Sequence, residues 1–294
     1  MSVASGPDFI CIGMQKAGTG WLFDQLQYHP DFWMPPAKEI HYLDRDPPKL
    51  LNVVKLLNQA RKRPERLEKR FEHRRRWDDR DIAFLEEAAS LRGKPVDFER
   101  YCALFRFKDG RFSGDVTPGY SGLSEERIAE IAEAMPEARI VLLIRDPVAR
   151  AWSQISMANR NENFDVSLLE DPRAFRSHLD GWDSLHRHGF PARIAERWDR
   201  AAPKVRFRHF FMDDIAAKPD ETRRDILSFI GADPMKSSGD LAAGHNRKSK
   251  AAKLVMGEEH KRALVDYFAD EIRACARRFG GHALAWATSY GLAA

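Results

Sequence analysis

Lys16 sits inside a glycine-framed loop, Gly13-Met-Gln-Lys-Ala-Gly-Thr-Gly-Trp21, directly after a short apolar run, Phe9-Ile-Cys-Ile12. A loop of this kind can cradle phosphate through its backbone N–H groups and the N-terminus of the helix that follows. In the nucleoside-triphosphatase pattern, Gly-x4-Gly-Lys-Ser/Thr, the lysine follows the second glycine. Here Gly13 and Gly18 keep the four-residue gap, but Lys16 lies within it and Thr19 directly follows Gly18. The lysine–hydroxyl pair needed for magnesium-dependent γ-phosphate chemistry is absent, so the loop suits a nucleotide with a different transferable group. A second candidate set lies in Ile144-Arg-Asp-Pro-Val-Ala-Arg-Ala-Trp-Ser153. Arg145 and Ser153 are eight residues apart, roughly two helical turns, and could reach one anion from different sides. The planar fork of arginine matches phosphate oxygens. Each residue also has a plain structural reading. Lys16 could be a solvent lysine on a strand–helix turn, Arg145 an ion-pair partner of Asp146 or Asp115, Ser153 a helix-surface residue and Trp21 a core residue of the first helix.

The elements that must position these groups are legible in the apolar pattern. Phe9–Ile12 predicts a buried strand, and residues 19 to about 28 a helix with Leu22 and Leu26 on one face. Arg111–Asp115 predicts a short strand entering the turn Val116–Tyr120, followed by a helix from about Ser124 with Ile128, Ile131 and Met135 inward. Ala138–Ile144 is a continuous, β-branched-rich strand, as expected when both faces are covered. Arg145 therefore lies at a strand's carboxyl end, where α/β sheets place their ligands. Asp146-Pro147 opens the next helix, with Val148, Trp152 and Ile155 recurring at helical spacing. A further strand at Val205–Phe211 and helices near 220–230 and 258–279 complete the alternation. The fold class is α/β: a three-layer, P-loop-like fold with a central parallel sheet flanked by helices. One domain over 1–294 with a charged helical insertion at about 50–105 is the simplest organisation.

The 294 residues are 43% hydrophobic, enough for a substantial core, and their net charge of only +4 does not demand a nucleic-acid partner. The run Arg61–Arg76 is strongly charged, but its glutamates at 65, 68 and 72 are spaced to pair with neighbouring Arg and Lys along a helix. It reads as a solvated face, with a landing surface for an anionic or extended acceptor as the alternative. Cys11, Cys102 and Cys275 are scattered and form neither a metal pattern nor a disulfide framework. With no basic, apolar leader and no membrane-length apolar run, we expect a soluble cytoplasmic protein without a membrane span.

The two motifs together resemble the sulfotransferases that use 3′-phosphoadenosine 5′-phosphosulfate. In that family a Lys-x-Gly-Thr-x-Trp-like loop binds the 5′-phosphosulfate, and an Arg…Ser pair eight residues apart binds the 3′-phosphate. Lys16-Ala-Gly-Thr-Gly-Trp21 and Arg145…Ser153 match both in the same order. Pro35-Pro-Ala-Lys-Glu-Ile-His-Tyr42 is similar to the Lys-Glu-x-His-Phe/Tyr segment of the carbohydrate and heparan-sulfate branch. Asp115-Val-Thr-Pro-Gly-Tyr120 resembles that branch's Glu-Lys-Ser/Thr-Pro-x-Tyr turn, with Val116 in place of the lysine. Gly189–Trp198 looks like the family's Gly-x-Tyr…Leu…Trp helix, and His245–Lys250 like the late basic loop over the 3′-phosphate, with Ser249 where some branches have glycine.

The resemblance implies a donor site made of Gln15, Lys16, Ala17, Gly18, Thr19, Gly20, Trp21, Arg145, Ser153, Arg247, Lys248, Ser249 and Lys250. Trp21 matches a tryptophan that stacks on adenine. It implies catalysis by Lys16, Glu39 and His41, with Glu39 as base and His41 orienting it or meeting the acceptor. Lys38, Glu39, His41, Asp115, Thr117 and Tyr120 would bind that acceptor. A salt bridge to Lys38 is the structural alternative for Glu39, and Thr117 and Tyr120 could simply shape a turn. The implied reaction moves a sulfuryl group from 3′-phosphoadenosine 5′-phosphosulfate, leaving adenosine 3′,5′-bisphosphate, to a small-molecule or glycan hydroxyl without a metal. A P-loop kinase of a small metabolite and a nucleic-acid-binding protein using 61–76 are the rival readings; no nucleic-acid partner is expected.

Overall fold

The computed structural model describes residues 6–62, 77–236, 239, 241–245 and 254–292. Among the described residues four strands form one parallel sheet: β1 (Phe9–Gly13), β2 (Gly114–Val116), β3 (Arg139–Ile144) and β4 (Arg206–Phe211), in the order β2-β1-β3-β4. The apolar runs predicted as strands end up where two covered faces require them. Every residue of β1 is buried, and only Arg139 of β3 is not. β4 lies at an edge of the sheet and alternates exposed arginines with half-buried rings before Phe210 and Phe211 enter the core.

The chain passes from β1 to β2 on one side and then returns to β3 on the other. That places a topological switch point at the carboxyl end of β1, the usual ligand crevice of an open α/β sheet. Helix α1 (Thr19–Gln27) leaves the loop after β1. Helices α2 (Leu51–Lys62), α3 (Asp79–Ser90) and α4 (Phe98–Ala103) occupy the segment before β2, and α5 (Glu125–Ala134) joins β2 to β3. Helix α6 (Pro147–Arg160) follows β3, with Asp146 as N-cap accepting from the Val148 N–H and proline in the first turn. Helices α7 (Pro172–Gly181), α8 (Asp183–His188) and α9 (Pro191–Ala201) lead to β4. After it come α10 (Met212–Ala217), α11 (Pro219–Ile230), α12 (Glu258–Phe279) and α13 (Gly281–Ser289).

The α2–α4 segment is bound into the same core as the sheet. Val53, Leu57, Phe84, Leu85, Tyr101 and Phe105 join the cluster around β1 and β3. Trp33 meets Phe84 edge-on at 5.6 Å. A second apolar cluster lies between α6, α7 and α12, built from Val148, Trp152, Ile155, Phe175, Leu264, Phe268 and Ile272. The part of the charged run at 63–76 lies outside the described residues. Within α2, Arg61 pairs with Glu86 of α3 at 2.6 Å.

One boundary differs from expectation. The second strand starts at Gly114 rather than Arg111, because Phe112 bridges to Phe32 and the Ser113 carbonyl accepts from the Asp8 N–H at 2.8 Å. Among the described residues no helix is long and apolar enough to cross a membrane.

Gly114 on β2 leaves room for the Phe9 ring of β1: a Cβ there would lie 2.3 Å from that ring. Phe9 is fully buried and packs edge-on against Phe32, so it has no room to yield. Gly114→Ala should cost about 1–3 kcal/mol by overpacking. A lowered urea midpoint at unchanged slope would report it.

Candidate functional site

The loop after β1 is held by its own backbone and by β3. Met14 N–H donates to the Leu143 carbonyl at 2.7 Å, and Ala17 N–H to Met14 at 3.1 Å. Gly18, with φ of 100°, turns the chain into α1 from a left-handed conformation and supplies no side-chain cap. The first N–H groups of α1 are thereby left without a side-chain oxygen from the capping position. Lys16 is itself left-handed, with φ of 71°. Such backbone in a residue with a side chain costs about 1–2 kcal/mol and marks a place where the surroundings dictate conformation.

Arg145 reaches this loop from the end of β3: its Nη1 donates to the Lys16 carbonyl at 3.0 Å. Burial pushes its guanidinium below its ordinary pKa, opposed by Asp146 and Asp213. Asp146 is occupied as the cap of α6 and as acceptor from the Tyr290 hydroxyl. Among the described residues no carboxylate lies within ion-pair distance of Arg145, and Asp115 belongs to a separate network. Lys16 Nζ stands 4.0 Å from the Met157 sulfur, one turn beyond Ser153 on α6. The structure therefore joins Lys16 and Arg145 at the carboxyl ends of β1 and β3, with the Lys16 ammonium reaching α6 one turn from Ser153.

Other donor-site candidates are placed with less exposure. Ala17 and Thr19 are buried, Gln15 and Gly18 half-buried, and Gly20 exposed. Trp21 is 3% exposed, and its indole N–H donates to the Ala243 carbonyl at 2.6 Å. With the Gln25 amide on the Ala242 carbonyl at 3.0 Å, it fastens the segment 242–243 to α1. In this arrangement Trp21 is the core-facing tryptophan. Arg247, Lys248, Ser249 and Lys250 lie outside the described residues.

Across the sheet edge, the segment 38–44 forms a charged cluster. Lys38 Nζ is 2.6 Å from Glu39 Oε1, so the salt bridge foreseen for Glu39 is present. His41 Nε2 stands 3.7 Å from Glu39 Oε2, an ion-pair separation rather than a hydrogen bond. On the other side of the ring, Nδ1–H donates to Asp44 Oδ2 at 2.6 Å. Glu39 and His41 are both left-handed, with φ of 64° and 56°. Burial alone would raise the Glu39 carboxyl, but His41 and Lys38 outweigh it and hold the group at about 2. The Asp44 hydrogen bond, then Glu39, lifts His41 to about 10. At neutral pH Glu39 is therefore a carboxylate and His41 an imidazolium, set between Lys38 and Asp44.

The cluster hangs on β2 and the 3-10 turn Pro118–Gly122. Glu39 N–H donates to the Val116 carbonyl at 3.2 Å, so Val116, standing where the resemblance has lysine, contributes its backbone. Asp115 is buried and accepts three hydroxyls: Thr117 at 2.7 Å, Tyr120 at 2.7 Å and Tyr101 at 2.9 Å. Tyr120 in turn accepts from the Tyr42 and Leu43 N–H groups at 3.1 and 3.4 Å. Asp115, Thr117 and Tyr120 are 1%, 0% and 0% exposed. The structure places these three expected acceptor contacts in a buried hydroxyl–carboxylate knot whose outer end grips the backbone after His41. A Cβ on Gly119 would lie 2.9 Å from Asp44 and 3.0 Å from His41, which fixes the turn directly beneath the imidazole.

Sequence reasoning missed Asp44 and Met157. Asp44 carried a local signal, a carboxylate three residues after His41, and Met157 lies one helical turn past Ser153. Among the described residues no group of three or more His, Cys, Asp or Glu could hold a metal ion, and all three cysteines are buried and free.

Residues 7–236 match the model of a family described as "Sulfotransferase family". Among solved structures, the sulfotransferase from Alicyclobacillus acidocaldarius is similar, with a TM-score of 0.62 at 19% identity, covering 96% of this chain and 99% of that one. The sulfotransferase domain of the Synechococcus PCC 7002 olefin synthase aligns with a TM-score of 0.47 at 15% identity, covering 90% and 96% of the two chains. A comparison with curated proteins returns no match. The first structural likeness shows the fold.

The His41 pairing makes stability depend on pH with a definite sign. Its pKa is raised from an ordinary 6.5 to about 10, so the stabilisation is fully present below pH 6.5 and is lost as pH rises through 10. The denaturation midpoint of wild type minus that of Asp44→Asn should therefore shrink between pH 6 and pH 10. Imidazole NMR titration should show the His41 pKa falling in Asp44→Asn; an unchanged value would remove Asp44 from the cluster.

Proposed function

The chain belongs to the sulfotransferase family, and on that footing we propose that it moves a sulfuryl group from 3′-phosphoadenosine 5′-phosphosulfate to a carbohydrate hydroxyl. The observation that carries this reading is the hydrogen bond from Arg145 to the Lys16 carbonyl, because it joins two anion-binding segments into one site. A ligand spanning them needs phosphate groups at separate positions. The residues fit that demand: an α1 N-terminus without a side-chain cap and a lysine on one side, a desolvated guanidinium and the Ser153 hydroxyl on the other.

The donor, when bound, supplies an activated sulfuryl group whose bridging oxygen gathers negative charge as transfer proceeds. Lys16 and the N–H groups of its loop stabilise that charge. Arg145 and Ser153 hold the 3′-phosphate, joined by Arg247, Lys248, Ser249 and Lys250. Glu39 receives the acceptor proton. Held at about 2, its carboxyl is ionised at neutral pH but too weak a base to deprotonate an alcohol in advance. Proton transfer therefore accompanies bond formation at the acceptor oxygen, when that oxygen becomes acidic. The His41 imidazolium, fixed by Asp44, keeps Glu39 oriented, and Lys38 and His41 offer donors to the acceptor. The likeness of residues 35–42 to the carbohydrate branch supports a glycan acceptor.

Isothermal titration should show adenosine 3′,5′-bisphosphate binding without magnesium and ATP–magnesium binding poorly; the reverse order would favour a kinase. Arg145→Ala should weaken that binding roughly 10- to 100-fold, the worth of a charged hydrogen bond. Lys16→Ala should lower turnover by about 10²–10³-fold, and Glu39→Gln by about 10²–10⁴-fold with donor affinity retained. Near-normal turnover in Glu39→Gln would show that another group takes the proton. A donor-dependent screen over glycans, phenols and alcohols tests the acceptor class.

A further inference from the structure

A second imidazole lies across the Pro118–Gly122 turn from His41. His188 ends α8, and its Nδ1 is 2.9 Å from Ser121 Oγ. The Ser121 hydroxyl already donates its single proton to the Pro118 carbonyl at 2.8 Å. It can only accept from the ring, so Nδ1 carries the hydrogen and Nε2 carries a lone pair. Among the described residues that lone pair has no hydrogen-bond donor.

The same turn touches each part of the site. Gly119 packs beneath His41 and Asp44, and Gly122 lies against the His188 ring, where a Cβ would come within 2.5 Å. A Cβ on Gly13, where the donor loop begins, would sit 3.0 Å from Ser121. His188 therefore stands beside the base cluster, on the turn shared with the donor loop.

Behind it is Arg150 of α6, 0% exposed. Its Nη1 donates to Gln154 at 2.8 Å, and the Gln154 amide to Ser184 Oγ at 3.2 Å. Arg150 Nε and Nη2 are buried without a partner among the described residues, and a Cβ on the adjacent Gly189 would be 3.0 Å from Nη2. Burial, and then Arg145, push this guanidinium down to about 9, which leaves it charged at neutral pH. Burial pushes His188 down to about 4, reinforced by Arg150 and Arg187 and opposed by Asp44 and Asp183. The two imidazoles flanking the turn thus have opposite characters: His41 a cationic donor, His188 a neutral acceptor.

Resting on the sulfuryl-transfer reading above, we propose that His188 is a second acceptor-contacting residue, its Nε2 accepting a hydrogen bond from a hydroxyl neighbouring the one sulfated, with Arg150 behind it as a positioning residue. The acceptor class this selects is a polyol with adjacent hydroxyls, as in a sugar ring, rather than a lone alcohol or phenol.

The test uses the whole chain saturated with adenosine 3′,5′-bisphosphate and imidazole ¹⁵N NMR. Chitotetraose, a heparan-type hexasaccharide and methyl glucoside are added in turn. His188 should titrate as a neutral Nδ1–H tautomer down to pH 5, and its Nε2 resonance should shift with at least one sugar. No shift with any of them, with nucleotide bound, overturns the proposal. In steady-state assays on the best sugar, His188→Leu should raise the acceptor KM roughly 10-fold with nucleotide affinity unchanged, and His188→Gln should recover part of it. An unchanged KM in His188→Leu likewise overturns it. In Arg150→Met the His188 pKa should rise from about 4 while burial keeps it below its ordinary 6.5, giving a rate that falls with acidity at a higher pH than in wild type. That acid limb should vanish in His188→Gln/Arg150→Met, and Arg150→Lys should retain the wild-type profile. A loss uniform across pH in Arg150→Met would make Arg150 merely structural; should that variant not fold, the KM and NMR results decide. If the nucleotide fails to bind wild type, the donor reading fails by itself.

Discussion

The hydrogen bond from the Arg145 guanidinium to the Lys16 carbonyl couples two strand ends that the chain reaches far apart in sequence. Beside the Met14 N–H to Leu143 carbonyl bond, it is a second tie between the loop after β1 and the end of β3. With it, the position of the Lys16 ammonium is defined relative to the helix carrying Ser153. The parallel sheet makes this possible: β1 and β3 are hydrogen-bonded neighbours, so their carboxyl ends emerge side by side. Arg145 bears the cost of partial burial with Asp146 and Asp213 acting on it only from a distance and, among the described residues, no carboxylate in ion-pair contact.

The other half of the site is organised around a carboxylate that never meets solvent. Asp115 gathers three hydroxyls and, through Tyr120, the backbone after His41. Burial raises its pKa, and the hydroxyls pull the other way. A fully satisfied polar knot of this kind specifies one geometry, because any displacement strands a buried polar atom. The charged cluster of Lys38, Glu39 and His41 is therefore mounted on a fixed base.

The strands were legible because a parallel sheet buries both faces, so Phe9–Ile12 and Ala138–Ile144 had to be continuous apolar runs. The loop and the Arg145…Ser153 pair were legible because each depends on local spacing about a strand–helix junction. What escaped was the part made by distant residues. Nothing near Asp115 announces that Thr117, Tyr120 and Tyr101 will all donate to it. Nothing near His188 announces Ser121 or Arg150, separated from it by long stretches of chain and brought close only by packing. The Phe112–Phe32 bridge, likewise non-local, moved the start of β2.

Lys16, Glu39 and His41 share an unfavourable left-handed backbone, and none of them is glycine. At about 1–2 kcal/mol each, the sum is comparable with a sizeable part of the net stability of an ordinary domain. Glycine at any of the three would relax the main chain while erasing a side chain from the site. Selection for heat resistance alone would drift toward those replacements and strip the strand ends of their charged side chains. Stability engineering of this fold belongs in the helices away from the sheet's carboxyl edge, with these three positions held fixed.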